Sequence, residues 1–162
     1  MIDVIIIGAG TAGLSAAIYV QRAGKKALVL EESTYGGQII NTADIDNYPG
    51  IKHISGFDFA TDLYNQAKDL GTTFAFEGVV KIENREDEKV VYTAKNEYHA
   101  KAIIIATGMK RRELGIDREK ELTGNGVSYC AICDGMFFRG KDVAVNGGGN
   151  VAVEDVEYLT RY

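Results

Sequence analysis

The chain has no tryptophan, one proline (Pro49), two histidines and two cysteines among its 162 residues. One close cysteine pair, Cys130 and Cys133, is too little for the disulfide framework of a small secreted scaffold. Basic blocks are missing too. The densest is Lys110-Arg111-Arg112, and 18 basic against 23 acidic residues leave a net charge of −5. Nonspecific nucleic-acid binding needs a basic face to neutralise phosphates, so that class is excluded. There is no long hydrophobic run. The segment Val4 to Val20 is broken by Gly8, Gly10 and Gly13 and preceded by Asp3 in place of a basic flank, which excludes a membrane span and a secretory signal. Without a targeting segment the expected compartment is the cytoplasm. What remains is an ordinary globular composition, 46% hydrophobic and 25% charged, sized for one domain or two small ones.

The β-branched run Val4-Ile5-Ile6-Ile7 predicts a strand buried on both faces, as in a parallel sheet. Helical spacing follows, with Leu14, Ala17 and Ile18 on one face and Gly24 at the C-cap position. Ala27-Leu28-Val29-Leu30 is a second short strand, so residues 1–31 form a βαβ unit. Residues 32–56 hold no sustained period. They contain Gly36-Gly37 and Pro49-Gly50 and are too apolar for disorder, so a structured loop over a ligand is expected. Ser55 and Asp58 resemble a capping box ahead of a helix with Phe59, Leu63, Ala67 and Leu70 on one face, ended by Gly71. Short extended runs then occupy 73–106 (Val79-Val80, Val90-Val91-Tyr92, Ile103-Ile104-Ile105), with a charged hairpin turn at 83–89. Residues 109–123 are polar and read as a linker. Val143-Ala144-Val145, Gly147-Gly148-Gly149 and a helical face at Ala152, Val156 and Leu159 repeat the strand, glycine turn and helix of 4–24.

Two motifs carry chemistry. Gly8-Ala9-Gly10-Thr11-Ala12-Gly13 is G-x-G-x-x-G, between a strand and a helix inside a βαβ unit. Gly8 permits the tight turn, Gly10 lets the backbone approach a pyrophosphate, and Gly13 allows close helix–strand packing. The helix N-terminus supplies partial positive charge to the phosphates. Glu31, eighteen residues after Gly13, stands where a carboxylate would take hydrogen bonds from an adenosine ribose. NAD and FAD both carry that ADP half.

Cys130-Ala131-Ile132-Cys133 is C-x-x-C, open to three readings. Structural zinc needs four ligands, and the only other candidates of the usual type are His53 and His99, both remote in sequence. A thioredoxin-like domain uses a tryptophan before the pair and a later proline, both absent here. The third reading is a redox disulfide beside a cofactor, in which one thiol attacks and the other resolves. Asp134 then becomes a candidate proton shuttle, or else an ordinary Asp-Gly turn residue.

Together these residues resemble the low-molecular-weight thioredoxin reductases, bacterial-type pyridine nucleotide–disulfide flavoenzymes, over the whole chain and in the family's order. The opening run Val4–Ala17, the pieces Gly36-Gly37-Gln38 and Asn47-Tyr48-Pro49-Gly50, and Ala106-Thr107-Gly108 are similar to its flavin motifs. Val127-Ser128-Tyr129-Cys130-Ala131-Ile132-Cys133-Asp134-Gly135 is similar to its redox signature and is the most specific piece. Residues 147–154 resemble the start of its NADPH domain. The resemblance implies an α/β fold. Residues 1–108 would be a Rossmann-like FAD-binding domain, a parallel sheet with helices plus a small antiparallel β-meander. Residues 109–123 would be a linker and hinge. Residues 124–162 would carry the C-x-x-C region and the start of a second Rossmann-like, NAD(P)H-binding domain.

It further implies that NADPH reduces FAD, FAD reduces the Cys130–Cys133 disulfide, and the dithiol reduces a protein disulfide, typically thioredoxin. Cys133 would face the flavin, Cys130 would attack the partner and Asp134 would serve as acid–base. Cofactor contacts would come from Gly8, Gly10, Thr11, Ala12, Gly13, Glu31, Gly37, Gln38, Asn47, Val80, Ala106, Thr107 and Gly108, and from Gly147 and Gly149 for the nicotinamide dinucleotide. A rotation between the two domains and a homodimer through FAD domains are also implied, with no metal, membrane or nucleic acid.

The chain departs from the family at Asn146, at Val151, and at Leu114-Gly115-Ile116-Asp117, which lacks the usual Pro-Gly. These departures bear on the electron donor, since some related reductases take electrons from ferredoxin. From Val143 only twenty residues remain, against about 30 for a βαβ unit. The expectation is therefore a C-terminally truncated chain that does not turn over alone. A non-catalytic flavin- or nucleotide-binding chain is the alternative.

Overall fold

The computed structural model describes residues 2–110 and 112–162, and Arg111 of the short basic run lies outside them, as does Met1. The chain forms two compact units, residues 1–109 and 110–162.

In the first unit β1 (Ile2–Ile7) leads through the glycine turn into α1 (Thr11–Arg22), then β2 (Ala27–Glu31). β1 and β2 pair in parallel, Val4 opposite Ala27 through Ile7 opposite Leu30. Their apolar runs are buried on both sides because helices cover one face and apolar side chains close the other. Ile6, Ala27 and Val29 pack with Leu14, Ala17 and Ile18 of α1, while Ile5, Ile7, Leu28 and Leu30 point the other way, against Val91 and Ala100. α1 ends at Gly24, whose φ of +70° suits glycine. The Gly24 N–H bonds Gln21 O and the Lys25 N–H bonds Val20 O, satisfying two carbonyls at the helix end.

α2 (Gly56–Asp69) begins at Ser55, whose Oγ accepts the Asp58 N–H at 3.0 Å, a cap worth about 1 kcal/mol. The Asp58 carboxylate accepts from the Ser55 hydroxyl at 2.7 Å and not from the backbone, so the box is closed side chain to side chain. Phe59 and Ala67 are buried as expected, but Leu70 is the C-cap residue and stays exposed. The preceding segment is structured: a 3-10 turn at Gly37–Asn41, an Ile45–Ile54 bridge with Ile45 buried, and Tyr48 against Phe59.

β3 (Thr73–Phe76) adds to β2 in parallel. β4 (Val79–Asn84), β5 (Lys89–Thr93) and β6 (Glu97–Ile105) form the antiparallel meander, with its turn tightened to Arg85–Glu88. β6 returns to lie parallel to β1, giving the order β3-β2-β1-β6-β5-β4. The order reverses between β1 and β6, and open parallel sheets bind ligands beyond the carboxyl ends of their strands at such a point. This is the Rossmann-like half that the sequence implied.

The second unit is helical and irregular: α3 (Glu119–Leu122), α4 (Ala131–Asp134) running into a 3-10 turn (Gly135–Phe138), and α5 (Asn150–Leu159). Part of the segment expected as a linker, 109–123, makes an internal clasp. Glu119 is buried and accepts the Leu114 N–H at 2.9 Å, the Gly115 N–H at 2.8 Å and the Tyr129 hydroxyl. This clasp holds the segment where the family's Pro-Gly is lacking. The strand expected at Val143-Ala144-Val145 does not form, although the glycine turn and helix after it do. A strand needs a neighbour for its ladder hydrogen bonds, and no strand occurs among the described residues of this unit. Gly135 lies beneath Leu159 and Tyr158 of α5, where a Cβ would meet Leu159 Cδ2 at 3.0 Å.

Candidate functional site

The glycine turn sits at the carboxyl end of β1. Gly8 has φ +104°, and a Cβ there would lie 2.4 Å from the Ala106 carbonyl oxygen. Ala106-Thr107-Gly108 leaves the end of β6 against that glycine, and the Ala106 N–H bonds Ile7 O at 2.8 Å. Gly13 meets the Gly8 carbonyl so closely that a Cβ would fall 1.9 Å from its oxygen. Gly10 differs: its ideal Cβ has nothing nearer than Gly37 Cα at 3.9 Å. The packing role thus falls to Gly8 and Gly13, and Gly10 keeps an open side. Gly10 also bridges Gly36 in parallel, and the Gly36 N–H bonds Ala9 O at 2.7 Å. Gln38 Nε2 donates to Met109 O at 3.1 Å. Thr11 and Ala12 open α1. Gly8 to Gly13, Glu31, Gly37, Gln38 and Ala106 to Gly108 therefore gather at one edge of the sheet.

A cleft of about 160 Å³ opens there, lined by Ile7, Gly8, Leu30, Glu31, Glu32, Glu77, Val79 and Thr107. Glu31 Oε2 accepts the Ala9 N–H at 2.8 Å and Oε1 the Ser33 N–H at 3.0 Å, so the carboxylate is locked beside the turn. Glu77 was not anticipated. Its carboxyl is held below the usual carboxylate range by the Thr93 hydroxyl, with Asn96 also donating, which adds a second fixed charge at the mouth. Val80 sits at an irregularity in β4 beside cleft-lining Val79 and is exposed, as is Asn47 in the loop. A larger hollow of about 410 Å³ lies beside Arg85–Glu88 and His99–Lys101. That is the amino-terminal edge, where Ala100 pairs with Ile2, the wrong end of a parallel sheet for a ligand.

In the second unit Cys130 and Cys133 form a disulfide with Cα atoms 5.3 Å apart. Cys130 is the N-cap of α4, and its Sγ accepts the Cys133 N–H at 3.3 Å. Asp134 is not a free turn residue, because Ser128 Oγ donates to its Oδ2 at 2.5 Å. Gly149 is the N-cap of α5, two residues after Gly147. His53 pairs with Asp44, His99 with Glu88 and Glu97, and no group of three or more metal-ligating side chains occurs among the described residues.

Residues 2–162 match the pyridine nucleotide-disulphide oxidoreductase family. The chain belongs to that family.

As a pyridine nucleotide-disulphide oxidoreductase chain it is 46% identical over 160 residues to the thioredoxin reductase of Bacillus subtilis, covering 99% of this chain and 51% of that protein. The crystal structure of thioredoxin reductase from Streptococcus pyogenes is similar with a TM-score of 0.93 and 47% identity, over 100% of this chain and 53% of that one. A ferredoxin-flavin thioredoxin reductase from Clostridium acetobutylicum is similar at 32% identity and a TM-score of 0.64, over 99% of this chain and 55% of that one. The chain spans about half the length of the curated relatives it matches. No helix among the described residues is long and apolar enough to cross a membrane.

Glu31→Ala tests the cleft. Loss of one charged hydrogen-bonding group is expected to weaken FAD binding by roughly 1.5–3 kcal/mol in a fluorescence titration. Unchanged affinity would remove Glu31 from the ligand.

Proposed function

We propose that the protein containing this chain is a flavin-dependent disulfide reductase. Electrons pass from NADPH by way of FAD to the Cys130–Cys133 disulfide, and the dithiol reduces a protein disulfide such as that of thioredoxin. The observation that carries this reading is the closed pair itself, with an N–H on Cys130 Sγ and the Asp134 carboxyl group tied beside it.

The cleft residues fit the adenosine end of FAD. Each Glu31 oxygen accepts one N–H, leaving a lone pair on each for the ribose hydroxyls. The open side of Gly10, with Thr11, Ala12 and the start of α1, suits a pyrophosphate. Gly37, Gln38, Asn47, Val80, Ala106, Thr107 and Gly108 are assigned to the same cofactor, and Gly147 and Gly149 to the nicotinamide dinucleotide. Bound FAD supplies the two electrons that convert the Cys130–Cys133 disulfide to two thiols.

The chain's own residues do the rest. Cys130 passes its proton to the Asp134 carboxylate and its thiolate attacks one sulfur of the partner's disulfide. That bond breaks, and the partner's second sulfur leaves and takes a proton from Asp134. Cys133 then passes its proton to Asp134, attacks Cys130 Sγ and re-forms the internal disulfide. The partner's first sulfur departs and Asp134 returns the proton to it. Two electrons and two protons have moved from the cysteine pair to the partner. The Cys133 N–H on Cys130 Sγ favours a thiolate at that sulfur, which supports Cys130 as the attacking one.

The test uses the full-length protein. It is expected to show a flavin spectrum that bleaches with NADPH and recovers on adding oxidised thioredoxin. Failure to reduce any protein disulfide would overturn the reading, and FAD binding without such turnover would leave a nucleotide-binding protein. The alternative donor is ferredoxin, suggested by the likeness to the ferredoxin-flavin enzyme together with Asn146 and Val151. In that case bleaching requires reduced ferredoxin. The same reading places the enzyme in the cytoplasm as a homodimer, which sedimentation of the full-length protein checks.

A further inference from the structure

Ser128 lies two residues before the redox pair, and its hydroxyl oxygen has three polar neighbours. It accepts the Cys130 N–H at 3.1 Å, donates to Asp134 Oδ2 at 2.5 Å, and lies 3.2 Å from the Cys130 carbonyl oxygen. A hydroxyl has one proton and two lone pairs, so it can serve only one of the two acceptors at a time. The Cys130 carbonyl already takes the Cys133 and Asp134 N–H groups at 3.2 and 3.1 Å, which makes the shorter contact to Asp134 the preferred one.

We infer that Ser128 is a positioning residue that holds the Asp134 carboxyl group at the cysteine pair in both of its protonation states. When Asp134 is ionised, the Ser128 proton points to Oδ2. When Asp134 carries a proton, that proton is donated to Ser128 Oγ and the hydroxyl turns its own proton to the Cys130 carbonyl. The Cys130 N–H stays on Oγ throughout, so the serine oxygen is anchored to the backbone of the residue whose sulfur reacts. The acid–base group can gain and lose its proton without losing its partner or its place; in the protonated state the Cys133 N–H, already shared with Cys130 Sγ at 3.3 Å, leaves a carbonyl lone pair for the hydroxyl. Alanine would remove the tether, leaving the half-buried Asp134 side chain to turn toward water. Nothing is oxidised or reduced in this step; a single proton changes hands on Asp134 and a hydroxyl rotates.

The inference rests on the disulfide-reductase reading, and its test has one arm independent of it. In the FAD-loaded, full-length protein, Ser128→Ala is expected to slow reduction of the partner disulfide about tenfold, a part of the hundredfold or more that general acid–base groups contribute. Ser128→Thr keeps a hydroxyl and is expected to recover to within about threefold of the wild-type rate. In an Asp134→Asn background Ser128→Ala is expected to change the rate less than about twofold, because its effect runs through the carboxyl group. An undiminished rate in Ser128→Ala, or an equal loss with and without Asp134, overturns the proposal. The latter would mean that the serine matters only for capping the Cys130 N–H. In the independent arm dithiothreitol opens the Cys130–Cys133 bond, followed by alkylation and mass measurement, with neither flavin nor partner needed. The same order of rates is expected, wild type and Ser128→Thr above Ser128→Ala. Equal rates in all three overturn the inference even if the reductase reading holds. The expected order would support it even if no protein partner is reduced.

Discussion

Cys130→Ser is expected to abolish reduction of the protein partner while leaving the bound flavin reducible. Cys133→Ser is expected to stop electrons leaving the flavin. The loss in each case should be at least about a thousandfold in turnover, because a serine hydroxyl neither ionises near neutral pH nor forms a disulfide. Neither variant can form the Cys130–Cys133 bond, so in both the electrons stay on the flavin. They are told apart by trapping, because Cys133→Ser keeps Cys130 to form a mixed disulfide with the partner that no thiol resolves, whereas Cys130→Ser forms none. With a reductant present, the Cys130→Ser flavin bleaches and the Cys133 thiol is free to titrate. The asymmetry has a local cause: Cys130 caps α4 and receives the Cys133 N–H, whereas Cys133 lies within the helical turn. Wild-type activity in either variant would refute the assigned roles.

Gly13→Ala and Gly10→Ala are expected to separate packing from ligand approach. A Cβ at Gly13 would stand 1.9 Å from the Gly8 carbonyl oxygen, which is backbone and cannot rotate aside. α1 must shift away from β1, disturbing the buried contact of Leu14 and Ala17 with Ile6 and Val29. The cost should be about 3 kcal/mol, the upper range for overpacking, seen as a lowered unfolding midpoint together with lost FAD binding. Gly10 has φ −74° and ψ −178°, which alanine adopts freely, and its Cβ would meet nothing within 3.4 Å. Gly10→Ala should therefore unfold within about 0.5 kcal/mol of wild type, yet bind FAD at least about tenfold more weakly through crowding of the pyrophosphate. Equal stability losses in the two variants would show that the glycines do not divide these roles.

Much of the first unit is legible in the sequence because it is set within a few residues. Val4 to Ile7 and Ala27 to Leu30 are apolar without interruption and form parallel strands buried on both faces. Gly24 and Gly71 end their helices with positive φ, and Ser55 caps the second helix. The candidate site was less so. G-x-G-x-x-G and C-x-x-C name their chemistry, but Ser128 and Glu119 carry no local mark. A glutamate among charged residues looks like surface until the fold buries it, and Ser128, which stays exposed, shows its role only through its bonds to Asp134 and the Cys130 N–H. Val143-Ala144-Val145 failed in the opposite sense. Its composition suits a strand, and composition cannot supply the neighbour that a ladder requires.

The sequence by itself determined the turns, caps and strand runs of the first unit, because each follows from side-chain chemistry and spacing along a few residues. The tertiary structure alone decided which distant pieces meet. It placed β6 beside β1, so that Ala106-Thr107-Gly108 abuts Gly8 at the reversal of strand order. It laid Gly36 against Gly10, ringed the cleft with Glu31, Glu32 and Glu77, buried Glu119 under three donors, and turned Ser128 onto Asp134. The reason is physical. A backbone ladder or a buried carboxylate is stable only when its partners arrive together, and that depends on the packing of the whole unit rather than on any stretch of chain.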